Sequence, residues 1–190
     1  NRIVRWLTQR YAQCTAIVTD VGQNQLWVAQ SAWVGESVRF LTSGGLGAMG
    51  FALPAAIANA FAHGETLMFA GDGGFQMNIQ ELQTIVHHRL PVKMVIMNNR
   101  ALGMVKQFQD IYFEKRYQST IWGYSSPDFE RVAVGYQIPA RTVTTEDELK
   151  ESLDWFFEQR YCLLQVMLDQ EIPLYPRTKF RKEGDEVRCA

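Results

Sequence analysis

The sequence lacks the features that mark membrane-spanning, disulfide-stabilised and nucleic-acid-binding proteins. Its richest apolar run, residues 51–62, is too short to cross a bilayer. None of its three cysteines lies in a Cys-X-X-Cys pair, which argues against a disulfide framework. A formal net charge of −1 gives no excess of positive charge for nucleic acid or an anionic membrane. No secretory signal peptide is visible, so we expect a cytoplasmic protein without nucleic-acid or membrane partners.

The 190 residues fit a single domain with a sizeable core, since 47% of them are apolar and 21% are charged. We assign residues 1–176 to this domain. Residues 177–190, which include five basic and three acidic side chains, read as a flexible charged tail. The chain begins at Asn1 within a helix-like stretch, and we therefore expect it to be a piece of a longer protein.

Short apolar runs alternate with amphipathic stretches, a pattern typical of a parallel α/β sheet. The predicted strands are residues 16–19, 66–70, 92–97, 140–143 and 163–168. Helices are predicted over residues 46–62 and 128–136, and after two capping boxes, Asn78 with Glu81 and Thr145 with Glu148. The expected fold is a three-layer, doubly wound parallel sheet with helices on both faces.

Two polar motifs follow two of these strands. Gly71-Asp72-Gly73 comes directly after the strand at 66–70, and Asn98-Asn99 follows the strand at 92–97. Parallel strands deliver both motifs to the same carboxyl edge, where open α/β sheets bind ligands. Magnesium prefers hard oxygen ligands, which the side chains of Asp72 and Asn99 and the carbonyl of Ala101 could supply. The pair of motifs therefore predicts a magnesium site at this edge.

A diphosphate is the expected companion of that cation. Gly71, Gly73 and Gly74 allow the backbone to approach a diphosphate closely. A helix predicted to start near residues 75–78 would point the positive end of its dipole at the anion.

Several motifs resemble those of one enzyme family. A GDG motif followed, after 24 residues, by an Asn-Asn pair is similar to the signature of thiamine-diphosphate enzymes. Six further segments resemble acetolactate (acetohydroxyacid) synthase large subunits, and the resemblance covers roughly residues 20–176. These segments are VGQNQLW from Val21, TSGGLGAMGFALPAAIA from Thr42, NIQEL from Asn78, LPVKMVIMNN from Leu90, LGMVKQ from Leu102 and PDFERVA from Pro127.

The resemblance implies a role for each matching residue. Magnesium would be held by Asp72, Asn99 and the Ala101 carbonyl. The residues expected to face the diphosphate are Gln23, Asn24, Gly71, Gly73 and Gly74.

The resemblance also assigns residues to the reactive half of the cofactor. Gly47 and Met49 would meet the aminopyrimidine, and the Met49 side chain would enforce the bent shape of the cofactor. Gly103 and Met104 would lie beside the thiazolium, and Gln107 and Phe108 nearer the substrate channel. Gly47, Met49 and Met104 are thus the residues expected at the reacting atoms.

The implied activity is a transferase or lyase reaction. Pyruvate or a related 2-keto acid would be decarboxylated and joined to a second carbonyl compound, as in branched-chain amino-acid synthesis. The resemblance further implies a homo-oligomer, with a dimer as the expected state, in which a pyrimidine-binding domain of the same or a partner subunit completes the site. FAD would be bound only in the full-length enzyme, and the isolated domain is expected to be inactive. The segment around Tyr112, Phe113 and Tyr117 would order over the cofactor and be mobile without it.

Three other interpretations of the sequence remain open. A thiamine-diphosphate-dependent 2-keto acid decarboxylase would share the metal motif. A non-catalytic assembly or regulatory paralogue would share the fold. Residues 45–50 read GLGAMG, a formal match to the GxGxxG motif of Rossmann dinucleotide-binding domains.

Overall fold

A computed structural model describes residues 2–175, 180–183 and 186–189. Six strands form one parallel sheet in the order β2-β1-β3-β4-β6-β5. These strands are β1 Ala16–Thr19, β2 Arg39–Thr42, β3 Thr66–Gly71, β4 Val92–Asn98, β5 Ala140–Val143 and β6 Cys162–Met167. The helices are α1 Arg2–Arg10, α2 Gln23–Ser31, α3 Ala52–His63, α4 Asp72–Phe75, α5 Leu82–His88, α6 Gly103–Tyr112, α7 Phe129–Gly135 and α8 Glu146–Glu158, with a 3₁₀ segment at Gln76–Glu81.

Helices cover both faces of the sheet. Successive strand residues point to opposite sides, so the apolar strands present a hydrophobic surface on each face. In β3, Met68 and Ala70 pack in a cluster with α3, α5 and α7, whereas Leu67 and Phe69 pack in a second cluster with α1, α2 and α8. The central strands β3 and β4 are buried along almost their entire length. The predicted three-layer α/β fold is confirmed. No helix in the described part of the chain is both long and apolar enough to span a membrane.

The predicted tail lies partly outside the described residues. Two short strands, β7 Phe180–Glu183 and β8 Glu186–Cys189, pair antiparallel with each other. Residues 177–179, 184–185 and 190 of the predicted tail, and the predicted domain boundary at residue 176, are outside the described residues. The flexibility of the tail therefore stays a prediction.

All five predicted strands are present, and the Thr145–Glu148 capping box opens α8 as predicted. The sequence did not predict β2, an edge strand whose residues are only half-buried or exposed. An edge strand with one solvated side lacks the continuous apolar run that identifies a buried strand.

Three helix predictions were wrong in detail. The helix predicted over residues 46–62 begins only at residue 52, because Gly47 and Gly50 have positive φ angles of 64° and 85°. Asn78 does not cap a helix: α5 begins four residues later, at Leu82, and the Asn78 side chain instead donates to the Gly50 carbonyl at 2.7 Å. The helix expected near residues 75–78 instead begins at Asp72, directly after β3.

Candidate functional site

A cavity of about 250 Å³ lies where β1, β3 and β4 end, at the carboxyl edge of the sheet. All twelve residues predicted to bind the cofactor or metal line it. They are Gln23, Asn24, Gly47, Met49, Gly71, Asp72, Gly73, Gly74, Asn99, Ala101, Gly103 and Met104. Chain segments separated by as many as about 80 residues thus meet at one site, although their individual roles stay predictions.

Three oxygen atoms converge on the floor of this cavity. Oδ1 of Asn99 lies 3.2 Å from Oδ1 of Asp72 and 2.9 Å from the carbonyl oxygen of Ala101. Adjacent ligands of an octahedral magnesium ion with bonds of 2.0–2.1 Å lie about 3 Å apart. The spacing of these oxygens therefore matches one side of a magnesium coordination shell.

The amide of Asn99 has two alternative orientations, and only one of them presents this oxygen. In the first, its Nδ2 donates to Oε1 of Gln23 at 3.2 Å, and its Oδ1 accepts from the Ala101 N–H at 3.3 Å. Turned by 180°, the amide nitrogen would donate to Asp72 and to the Ala101 carbonyl. A bound cation requires the first orientation, because a cation attracts the oxygen and repels the NH₂ group.

Asp72 is buried, and this burial raises the pKa of its carboxyl to about 6. The Tyr124 hydroxyl donates to Oδ2 of Asp72 at 2.8 Å, and this bond, with nearby backbone N–H groups, partly offsets the effect of burial. Burial and the adjacent Asp72 in turn raise the pKa of Tyr124, so its hydroxyl remains a donor. A buried carboxylate with a raised pKa would be stabilised in its charged form by a cation.

The electrostatics of the cavity suit an anion that arrives together with a cation. Among the described residues that line it there is no Lys or Arg. Three helices begin at its wall, α2 at Gln23, α4 at Asp72 and α6 at Gly103, and their free N–H groups favour negative charge. No three His, Cys, Asp or Glu side chains group together in the described chain, so a metal here would need amide and carbonyl oxygens.

A second buried carboxylate, Asp20, has a structural task beside the cavity. It accepts hydrogen bonds from the backbone N–H groups of Val21, Gly50 and Ala52 at 2.7–3.1 Å. These bonds fix the loop that carries Gly47 and Met49. Burial raises the pKa of Asp20, and the same three bonds partly counter the effect.

The glycines of the site make room for protein atoms as well as for a ligand. A Cβ at Gly74 would lie 2.8 Å from the carboxyl group of Asp20. At Gly73 a Cβ would collide with Leu102 and approach the Tyr124 hydroxyl at 3.3 Å. Gly74 is therefore required by the packing of Asp20, a reason that is independent of any diphosphate.

Gln107 and Phe108 are not among the residues that line the cavity. Gln107 accepts from Nε2 of Gln23 at 3.1 Å and from the Leu174 N–H at 2.8 Å, and so links the cavity wall to the end of the domain. The Phe108 ring packs against Tyr112, with 4.7 Å between the ring centroids. The structure thus places neither residue against the cavity, and their expected position near a substrate channel stays a prediction.

Sequence reasoning missed Tyr124 and Asp20. Tyr124 lies 52 residues from Asp72, and no local pattern links the two. Asp20 offered a weak signal, since it directly follows an apolar strand, as Asp72 does. Only the packed structure shows that Asp20 binds three backbone N–H groups of its own and a neighbouring loop, whereas Oδ1 of Asp72 faces the Asn99 amide.

Comparison with known proteins identifies the family. Residues 20–166 match the model of the thiamine pyrophosphate enzyme C-terminal TPP binding domain. The chain is 42% identical, over 85% of its length, to 28% of a probable acetolactate synthase large subunit of Methanocaldococcus jannaschii. It is 36% identical, over 92% of its length, to 32% of the acetolactate synthase isozyme 2 large subunit of Escherichia coli. The chain therefore spans about a third or less of these relatives, and it belongs to the thiamine pyrophosphate enzyme family through the C-terminal TPP binding domain.

Proposed function

We propose that this chain forms the diphosphate- and magnesium-binding half of an acetolactate-synthase-like active site. The convergence of the Asp72, Asn99 and Ala101 oxygens in a cavity without Lys or Arg carries this proposal. Those three residues would hold magnesium, which in turn would neutralise the diphosphate. Without a cation, the diphosphate and the Asp72 carboxylate would repel each other.

The remaining lining residues would orient the cofactor. Gln23, Asn24 and the glycines after β3 lie at the ends of strands β1 and β3, where a diphosphate would meet the helix starts. Met49 lies on the loop that Asp20 fixes, and would support the aminopyrimidine from one side. Gly103 and Met104 open α6 and would lie beside the thiazolium. When bound, thiamine diphosphate supplies the carbanion chemistry of decarboxylation and carboligation, and the protein supplies orientation and electrostatics.

The reaction proposed for the complete enzyme is the decarboxylation of pyruvate, or of a related 2-keto acid, followed by ligation to a second carbonyl compound. The proposal rests on relatives that are named as acetolactate synthase large subunits and match most of this chain. Branched-chain amino-acid synthesis in the cytoplasm is the setting we propose. FAD, if the complete enzyme binds it, would lie outside this domain.

A second domain is proposed to complete the site. The loop at residues 44–48 is exposed, and Leu46 at its tip is 98% exposed beside Gly47. Met77 and Val105 are also at least half exposed. Apolar side chains exposed together beside a ligand cavity indicate a covered surface. We propose that a pyrimidine-binding domain of the same or a partner subunit covers it in a homo-oligomer, and that the isolated domain is inactive.

Thermal unfolding with thiamine diphosphate, with and without magnesium, tests the cofactor site. A ligand at about 100 times its dissociation constant stabilises the folded state by about 2.7 kcal/mol. For a domain of this size, that stabilisation corresponds to a Tm increase of about 5–10 °C. We expect this increase only with both ligands present, in the 190-residue chain or, if the second domain is required, in the complete protein.

Two variants test whether the Asp72 carboxylate is responsible for this increase in Tm. Asp72→Ala should abolish the magnesium-dependent increase in Tm. Asp154→Ala, which removes an exposed aspartate that pairs with Arg10, should retain it. If neither the chain nor the complete protein is stabilised, or if Asp72→Ala is stabilised as much as the unaltered protein, the proposed site is wrong.

A further inference from the structure

Tyr124 contacts Asp72, one of the residues that line the cavity, from a segment far away in the sequence. Its hydroxyl donates to Oδ2 of Asp72 at 2.8 Å and accepts from Nε2 of Gln76 at 3.3 Å. Gln76 also donates to the Ser125 carbonyl at 3.4 Å, so it holds the segment that carries Tyr124. The hydroxyl is thus oriented by one partner and directs its own proton at the carboxylate.

The two oxygens of Asp72 consequently face different partners. Oδ2 is engaged by Tyr124, while Oδ1 lies 3.2 Å from Oδ1 of Asn99 in the group of three oxygens. A cation that bound both oxygens would have to compete with the Tyr124 hydroxyl for Oδ2, so Oδ1 is the oxygen that Asp72 offers freely. Gly73 permits the arrangement, because a Cβ there would lie 3.3 Å from the Tyr124 hydroxyl.

The number of carboxylate oxygens offered distinguishes magnesium from calcium. Magnesium takes six ligands at 2.0–2.1 Å in a strict octahedron, and binds carboxylates through single oxygens. Calcium takes six to eight oxygens at 2.3–2.6 Å and readily accepts both oxygens of one carboxylate. Preventing two-oxygen binding by Asp72 therefore disfavours calcium more than magnesium.

We propose that Tyr124 is a positioning residue that limits Asp72 to one metal-binding oxygen and so sets the preference of the site for magnesium over calcium. The inference rests on the proposed function, in which Asp72, Asn99 and Ala101 hold the cation. Tyr124 itself contacts the metal ligand and has no contact with the metal. Hydrogen-bond partners of metal ligands typically change metal affinity by about 10- to 100-fold when removed.

The test is the Tyr124→Phe substitution in the complete protein, which removes one oxygen atom from a half-buried ring. Magnesium and calcium are titrated separately at saturating thiamine diphosphate, and binding is followed by intrinsic fluorescence and by the shift in Tm. We expect magnesium affinity to fall about tenfold. Calcium affinity should fall less or rise, so that the ratio of the two dissociation constants moves several-fold toward calcium.

Tyr11→Phe is the matched control, because its hydroxyl also donates to a carboxylate, that of Glu65, but at the opposite edge of the sheet and outside the cavity. This variant should keep the magnesium-to-calcium ratio of the unaltered protein. Gln76→Leu should move the ratio in the same direction as Tyr124→Phe, by a smaller factor.

The outcomes separate this inference from the proposed function. An unaltered protein that binds magnesium, together with a Tyr124→Phe variant that is folded and has an unchanged ratio, would overturn the role of Tyr124 alone. An equal loss of affinity for both ions would also overturn it, because a general loss of packing has no preference between them. Failure of the unaltered protein to bind either ion would overturn the metal site itself.

Discussion

Both edges of the sheet bury polar side chains, yet only the carboxyl edge carries a candidate site. At the amino edge, the Tyr11 hydroxyl donates to Glu65, and the Lys93 ammonium donates to the Gln159 carbonyl. The Lys93 ammonium also lies 5.2 Å from the Tyr11 ring centroid. These groups satisfy one another, which is the usual requirement for burying polar groups.

At the carboxyl edge, by contrast, side-chain and backbone oxygen atoms lie close to one another. In the orientation of the Asn99 amide that a cation requires, its Oδ1 meets Oδ1 of Asp72 and the Ala101 carbonyl oxygen beside a cavity. Among the described residues, the amino edge has one buried side-chain atom without a hydrogen-bond partner, Oδ1 of Asn59. The nitrogen of the same amide donates to Thr66. The difference teaches that burial of polar groups alone does not identify a site; convergence of like groups beside a cavity does.

The largest expected effect is a pH dependence of the free energy of unfolding, caused by Asp72 at the carboxyl edge. Burial raises the pKa of Asp72 to about 6, above its ordinary value of 3.8. Between these values the folded protein holds a proton that the unfolded chain has released. The protonated Asp72 therefore makes its full contribution to the free energy of unfolding below about pH 4. This contribution, up to about 3 kcal/mol, is lost as the pH rises through about 6.

Urea unfolding of the metal-free protein across this range, beside Asp72→Asn, measures the effect. The variant should lack the Asp72 part of the decrease, although the raised pKa of Asp20 will add a contribution of the same sign to both proteins. Magnesium binding should strengthen across the same range, because a ligand carboxylate must be deprotonated. Parallel pH profiles for the two proteins would show that Asp72 is not the group responsible.

A smaller effect comes from crowding the carboxyl edge. A Cβ at Gly103 would collide with Oε1 of Gln23 and lie 2.7 Å from Nδ2 of Asn99. Gly103→Ala should therefore displace the amide pair and weaken cofactor binding about tenfold, equivalent to about 1.4 kcal/mol.

Gly135→Ala is the control, because a Cβ at this last residue of α7 would point into open space. This variant should be stabilised by about 0.5–1 kcal/mol, since alanine favours a helix more than glycine does, and it should bind cofactor normally. Equal cofactor affinity of Gly103→Ala and the unaltered protein, measured by fluorescence titration, would contradict the role of the Gln23–Asn99 pair.

Much of the fold could be predicted, because central parallel strands must be apolar on both faces. The runs at residues 66–70 and 92–97 therefore identified β3 and β4 directly. Edge strand β2 escaped prediction, since one side of it is solvated. The start of α3 was misplaced because small and apolar residues continue from the helix back to residue 46, whereas Gly47 and Gly50 adopt positive φ angles that end the helix.

The site, like the fold, could be predicted only in part. Asp72 and Asn99 follow neighbouring strands, and the geometry of a parallel sheet alone brings them together. The contact between Tyr124 and Asp72 depends on the path of a long connection between α6 and α7, which no periodic pattern specifies. The three backbone bonds of Asp20 are likewise properties of the packed loop. Resemblance to a family supplied the residues that are expected to touch a shared ligand, but not Tyr124 or Asp20, which contact the side chain or the loop of such residues.

The smallest expected effect comes from the same Tyr-to-Phe substitution made at the amino edge of the sheet. Tyr11→Phe removes a buried hydroxyl that donates to Glu65, as Tyr124→Phe removes one that donates to Asp72. A lost hydrogen bond of this kind costs about 1 kcal/mol of stability, or about 2–4 °C in Tm for a domain of this size. Because Tyr11 does not line the cavity, the dissociation constants for magnesium and for thiamine diphosphate should be unchanged. If Tyr11→Phe weakened magnesium binding as much as Tyr124→Phe, the two edges would not be independent, and the lower affinity of Tyr124→Phe would reflect general destabilisation.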